Sequence, residues 1–145
     1  MTQNEITQKI SELEGSIADA ERRKAEAEKN IRQLEVLKAC CNNYQAEFDF
    51  SRKMWRARLE DFVKMGGQDR LIGAYDMVLR DLLYGPEYMR AYEDMEIAKS
   101  EVSREIERQK QVINECNGQI AGFSGSISGW RQQLADVDEE VKNAG

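Results

Sequence analysis

The chain has 145 residues, of which 33% are charged and 41% are hydrophobic, and its one proline is Pro86. This composition is typical of long solvated helices in a single domain, and one proline leaves little to interrupt them. The formal net charge of −6 disfavours general binding to nucleic acids and to anionic membranes, because both are negatively charged.

The residues needed for most kinds of catalytic and metal site are missing from the sequence. It contains no histidine, which is the commonest general base and metal ligand. The three cysteines, Cys40, Cys41 and Cys116, form no Cys-x-x-Cys pair, so neither a disulfide framework nor a zinc site is indicated. Adjacent carboxylates such as Glu60-Asp61 are interpreted as solvated charges on a helix surface and not as an acid–base pair. We expect a protein that is not an enzyme and binds no metal or other cofactor.

Hydropathy and the N-terminal residues bear on where the protein is found. No apolar stretch approaches the roughly 20 residues needed to span a bilayer. The first six residues, Met1 to Ile6, have neither the basic segment nor the apolar core of a signal peptide. We expect a cytoplasmic protein without stable membrane insertion, and export without a cleaved signal stays open.

The first arm, residues 4–48, has polar side chains except along two rows that repeat every seven residues. One row contains Ile6, Leu13, Ala20, Ala27, Leu34, Cys41 and Phe48, and the other contains Ile10, Ile17, Lys24, Ile31 and Lys38. Steps of four and three alternating over six heptads are the pattern of a coiled-coil seam. The two lysines are interpreted as polar residues that set the register of pairing.

The second arm, residues 94–142, has the same pattern and a matching length. Its rows contain Met95, Val102, Gln109, Cys116, Phe123, Trp130 and Val137, and Lys99, Ile106, Ile113, Ile120, Ile127, Leu134 and Val141. Pairing the two apolar stripes removes both from water. The sequence therefore predicts an all-α fold, a long antiparallel coiled-coil helical hairpin. Pairing within one chain and arm exchange between two chains have the same seam chemistry, so both stay open.

The middle of the chain, residues 49–93, departs from strict heptads but keeps apolar residues at helical spacing. Gly66-Gly67 is the strongest turn signal, and Gly85-Pro86 marks a second break, with Gly at a helix C-cap and Pro in the first turn of the next helix. We expect a thicker, aromatic-rich helical head here, within one domain covering residues 1–145. Tyr84, Tyr88 and Tyr92 are expected at its surface or at its junction with the arms.

Four glycines, Gly118, Gly122, Gly125 and Gly129, lie on the face of the second arm opposite the seam. Each glycine inside a helix costs roughly 1 kcal/mol relative to alanine. One interpretation is a frayed, weakly helical stretch near the end of the arm. The other is a smooth groove where a partner helix approaches closely.

The layout resembles the small helical-hairpin proteins of bacterial type VII (ESX) secretion, above all the longer relatives encoded beside LXG toxins. Their compact members have Trp-x-Gly in the turn; here the matching residues are Trp55-Arg56-Ala57, followed by Leu59 and Phe62. The turn is then displaced to Gly66-Gly67. Tyr92 and Glu96 fit the Tyr-x-x-x-Asp/Glu export signal of such proteins, although the signal usually lies near the end of the second helix.

This resemblance implies a non-enzymatic targeting chaperone that pairs with another helical protein, either the helical N-terminal region of a secreted toxin or a small helical-hairpin partner. The implied partner-binding residues are Trp55, Ala57, Leu59, Phe62, Tyr92 and Glu96, and the glycine row of the second arm would add a second contact. The alternative is an acidic coiled-coil homodimer that acts as a scaffold, or as a phage-encoded inhibitor that blocks another protein.

Overall fold

The computed structural model describes residues 1–66 and 70–144, apart from the side chains of residues 62, 65, 66 and 70–72. Three helices account for almost all of them: α1 (Gln3–Gly66), α2 (Arg70–Tyr84) and α3 (Pro86–Ala144). The described residues include no strand, and the prediction of an all-α helical hairpin is confirmed.

Helix α1 begins with a reciprocal cap. The Thr2 hydroxyl accepts a hydrogen bond from the backbone N–H of Glu5 at 3.2 Å, and the Glu5 carboxylate accepts one from the Thr2 N–H at 3.0 Å. Two backbone donors that the first turn would otherwise leave unpaired are thereby satisfied. At the other end, the described part of α1 extends to Gly66, and the turn predicted at Gly66-Gly67 falls on Gly67, which lies outside the described residues.

A single residue, Gly85, separates α2 from α3. Its N–H donates to the carbonyl oxygen of Asp81 at 2.6 Å, and a Cβ at position 85 would lie only 2.1 Å from that oxygen. The predicted break is confirmed, but Gly85 does not adopt the positive φ of a left-handed C-cap. Glycine is required because the chain passes so close to Asp81, and Pro86 then starts α3 with its fixed φ.

The contacts divide the chain into two units, of which the first comprises Met1–Gln33 and Ile106–Gly145. In unit 1 the start of α1 packs against the end of α3. Three side-chain hydrogen bonds mark the register: Gln3 to Asp138 at 2.8 Å, Arg131 to Glu14 at 3.3 Å and Asn30 to Gln109 at 3.4 Å. Residue numbers rise along α1 as they fall along α3, so the pairing is antiparallel.

The buried core of unit 1 is made entirely of predicted seam residues, namely Ile6, Ala20, Ala27, Ile106, Cys116 and Ile127. The other seam positions of this unit are half-buried, with one exception. Val141 is 65% exposed, and its assignment to the seam is wrong. Since Asp138 already meets Gln3 at the start of α1, Val141 lies beyond the residues that could cover it.

Unit 2, Leu34–Glu105, contains the rest of α1, all of α2 and the start of α3. A polar layer lies within its seam. Gln45 is buried, its side-chain oxygen accepts a hydrogen bond from Lys99 at 2.8 Å, and its amide donates to Glu96, which also pairs with Lys99 at 3.8 Å. Lys99 therefore makes the kind of contact expected of a register-setting residue. The roles of Lys24 and Lys38 stay predictions.

The segment with the four glycines is helical throughout, inside α3. All four are exposed, and a Cβ added at Gly118, Gly122, Gly125 or Gly129 would meet no atom within 4 Å. The structure thus gives a regular helix with an open surface where fraying was one interpretation. Whether a partner occupies that surface stays a prediction.

Candidate partner-binding site

A cleft of about 780 Å³ opens between α1 and α2 in unit 2. Its residues are Trp55, Arg58 and Leu59 of α1, and Tyr75, Leu79, Leu82 and Leu83 of α2. Six of these seven side chains are apolar or aromatic, and among the described residues that line the cleft only Arg58 is charged. Apolar walls with one charged group are the usual composition of a binding site for a ligand or a partner helix.

The cleft exists because the apolar surface of α2 is wider than α1 can cover. Leu79 and Leu83, four residues apart, are half-buried. Tyr75 and Leu82, seven residues apart on the neighbouring stripe, are 55% and 57% exposed. One stripe of α2 is therefore covered within the unit, and the next stands in the open wall of the cleft.

Trp55 forms part of the α1 wall. It lies inside α1, at least ten residues from either helix end, and is 54% exposed. The Arg58 guanidinium lies 5.4 Å from the centre of its ring, within the range of a cation–π contact. Leu59, one helical turn further on, is buried and forms the floor. A tryptophan this exposed beside a buried leucine is typical of a surface that a partner covers.

An aromatic column joins α1 to the start of α3 in unit 2. Phe48 of α1 stacks on the buried Tyr88 with ring centres 5.1 Å apart, and Tyr88 stacks on Tyr92 at 6.4 Å. Arg52 lies over the rings of Tyr84 and Tyr88 at 4.8 and 4.1 Å.

Arg52 also ties α1 to the end of α2. Its side chain donates a hydrogen bond to the carbonyl oxygen of Leu83 at 3.1 Å. The end of α2 is therefore held against α1 by a charged group bonded to a backbone acceptor, which is stronger than a neutral pair. This contact fixes the position of the Leu83 end of the cleft.

The residues predicted from the sequence are only partly brought together. Trp55 and Leu59 both line the cleft, whereas Ala57 is exposed and does not. The side chain of Phe62 lies outside the described residues. Tyr92 is half-buried in the aromatic column, and Glu96 accepts a hydrogen bond from Gln45. Both residues of the export motif therefore take part in contacts within unit 2, and the glycine row belongs to unit 1.

The sequence did not lead to the α2 wall of the cleft, nor to Arg58 as the charged residue of the α1 wall. Tyr75, Leu79 and Leu82 are recognisable as an amphipathic pattern, but which stripe stays open depends on how α2 packs. The basic segment around Trp55 is visible in the sequence: residues 52–58 contain Arg52, Lys53, Arg56 and Arg58 and no acidic residue, and Arg58 is the one that lines the cleft. That run is the strongest local departure from the acidic character of the chain.

The described residues offer neither a membrane-spanning helix nor a cluster of metal ligands. None of the described helices is long and apolar enough to cross a membrane. Nor do the residues with described positions include a group of three or more cysteine or acidic side chains that could hold a metal ion.

Comparison with known proteins adds no further candidate. No family model matches the chain, and neither a curated protein nor a solved structure is significantly similar to it.

Proposed function

We propose that this protein is a non-enzymatic binding protein that pairs with a helix of another protein through the cleft between α1 and α2. The observation that supports the proposal is the exposure of Trp55, Tyr75 and Leu82 on the two walls of one cleft. Large apolar side chains that are exposed to water in a group are unfavourable, and burying their surface stabilises a complex by about 25 cal/mol per Å² of apolar area. A helix laid in the cleft would cover them.

The partner proposed is the helical N-terminal region of a secreted toxin, and the protein would be its targeting chaperone in type VII secretion. In this proposal the protein is made in the cytoplasm, and any export proceeds without a cleaved signal. This choice of partner rests on the sequence resemblance to that class of proteins, and the cleft with the exposed Trp55 supplies a surface that a helix could cover. The glycine row would be a second, separate contact surface.

The test of the cleft is a double substitution, Trp55→Ala with Leu82→Ser, assayed by calorimetric titration against the N-terminal helices of an LXG toxin. We expect binding to weaken more than tenfold, because central aromatic contacts carry most of an interface's free energy. Met77→Ala is the matched control, since Met77 is 74% exposed on α2 and does not line the cleft. Equal binding by the double variant and the control would contradict the proposal.

The glycine row has its own test, Gly122→Leu with Gly125→Leu. Because a side chain at either position points into open space, helicity measured by circular dichroism should be unchanged or higher. If a partner helix approaches these glycines closely, the added side chains should abolish its binding. Undiminished binding would remove the glycine row from the proposed interface.

A second candidate function, an acidic homodimeric scaffold or inhibitor, is favoured by a different surface. Helix α1 exposes Val36, Leu37, Tyr44, Phe50 and Met54. Val36, Phe50 and Met54 lie along one stripe of the helix, and Leu37 and Tyr44, seven residues apart, lie on a neighbouring stripe. Light scattering that shows a stable dimer would favour this candidate, as would salt-sensitive binding to a basic enzyme that acts on nucleic acid.

A further inference from the structure

The cleft carries positive charge although the chain as a whole is acidic. The formal net charge is −6, yet residues 52–58 contribute four positive charges and no negative one. This segment supplies Trp55 and Arg58 to the wall of the cleft. Asp49, Glu60 and Asp61 flank this segment, so the positive charge that faces the apolar surface is that of Arg58, and it favours a group of opposite charge there.

Among the four basic residues, Arg58 is the one that lines the cleft. Arg52 is held by the carbonyl oxygen of Leu83 and by two tyrosine rings, and Arg56 pairs with Glu60 at 3.5 Å. Arg58 contacts the ring of Trp55, and no acidic side chain of the described residues forms a salt bridge with it. Its guanidinium can therefore still donate hydrogen bonds to a carboxylate in the bidentate geometry that arginine favours.

We propose that the cleft binds an amphipathic α-helix whose apolar stripe is flanked by acidic residues, with one carboxylate paired to Arg58. This inference rests on the proposed function and adds the chemistry of the partner. The apolar stripe would cover Trp55, Tyr75 and Leu82. An acidic residue beside the stripe would then reach the rim of the cleft, where Arg58 lies.

The net charge argues against two other partners for the cleft, an anionic membrane and a second copy of the chain. An anionic membrane would attract residues 52–58 but repel a chain with a net charge of −6. A second copy of the chain has the same negative charge and is repelled likewise. A separate helix whose acidic residues lie only beside its apolar stripe would place them next to Arg58 and would avoid most of this repulsion.

The test uses two fluorescently labelled peptides of about 18 residues, long enough for five helical turns. Both carry leucine at helical spacing, flanked by glutamate in one and by lysine in the other. Fluorescence anisotropy measures their binding to the full chain. We expect the glutamate peptide to bind at least tenfold more tightly than the lysine peptide, and added salt to reduce the difference.

Substitutions at Arg58 assign the charge effect to the cleft. Arg58→Gln should weaken binding of the glutamate peptide about tenfold, as expected for loss of a charge-assisted pair, while Arg58→Lys should keep most of the affinity. Arg23→Gln is the control, because Arg23 is an exposed arginine of α1 in unit 1. Circular dichroism checks that each variant is folded.

Each contrary outcome overturns the inference without deciding the proposed function. Equal binding of the two peptides, no binding of the glutamate peptide, or equal behaviour of Arg58→Gln and Arg23→Gln would remove the acidic partner. The Trp55→Ala, Leu82→Ser test with the toxin helices would still stand or fall by itself. Arg58-dependent co-sedimentation with phosphatidylglycerol vesicles, or Arg58-dependent dimerisation, would replace the helix by a membrane or a second copy.

Discussion

At the scale of single residues, the seam of unit 1 depends on small side chains. Ala20 and Ala27 of α1 are almost completely buried, and Cys116 of α3 is completely so. The antiparallel register places Ala27 at the level of Cys116, and Ala20 at the level of the larger Phe123. Two small residues facing each other let the helices approach, and a small residue facing a phenylalanine leaves room for its ring.

Enlarging Ala20 should therefore destabilise the protein. Ala20→Leu adds three carbon atoms to a filled position, and overpacking of this kind costs about 1–3 kcal/mol. The measurement is the free energy of unfolding from denaturant titration. Ala18→Leu, two residues away on the exposed side of α1, is the control and should change stability little. A similar loss in both variants would show that burial at the seam is not the cause.

Among the individual elements, α3 and the α2–α3 connection use glycine for different reasons. The four glycines of α3 have open space where a Cβ would be, so nothing in the described structure requires them to be glycine. Gly85 is confined by the carbonyl oxygen of Asp81. The same substitution should therefore have opposite effects at the two places.

Replacing Gly122 and Gly125 by alanine should stabilise the folded protein by about 1–2 kcal/mol in total, because alanine is the better helix former. Gly85→Ala should destabilise it, since the new Cβ would collide with backbone atoms that belong to α2. Thermal unfolding followed by circular dichroism compares the variants. A melting temperature that falls for the α3 pair would mean that these glycines have a structural role in the folded protein.

How far each element could be predicted depends on whether its cause is local. The seam positions follow from the heptad period, and only Val141 was misassigned, since the end of the paired region depends on where α1 starts. Gly85-Pro86 was recognisable from residue type, but the reason for the glycine is a contact with Asp81. The cleft could not be derived, because it depends on which stripe of α2 meets α1.

For the molecule as a whole, the polar layer of unit 2 bears on the register in which α1 and α3 pair. Gln45, Lys99 and Glu96 form their hydrogen bonds at one level of the seam. An apolar seam tolerates shifted or exchanged pairings, whereas a buried polar group is satisfied only when its partners are opposite it. The layer therefore selects one register at some expense of stability.

Removing this layer should make the protein more stable but less uniform. Gln45→Leu with Lys99→Leu replaces polar seam residues by apolar ones, so the denaturation midpoint should rise. Light scattering after chromatography should then show more than one oligomeric state, whereas we expect a single state for the natural sequence. Lys110→Leu, an exposed position on α3, serves as the control. A single, unchanged species in the double variant would show that other residues set the register.

The three thiols differ in burial, so their rates of chemical modification can report the opening of unit 1 in the natural protein. Cys40 is exposed, Cys41 is half-buried and Cys116 is completely buried in unit 1. A maleimide dye should modify Cys40 at once, but Cys116 only when unit 1 opens. The modification rate of Cys116, read by mass spectrometry, would then measure the opening equilibrium of the helix pair without any engineered label. A bound partner that closes unit 1 further would appear as a slower rate at this one sulfur atom.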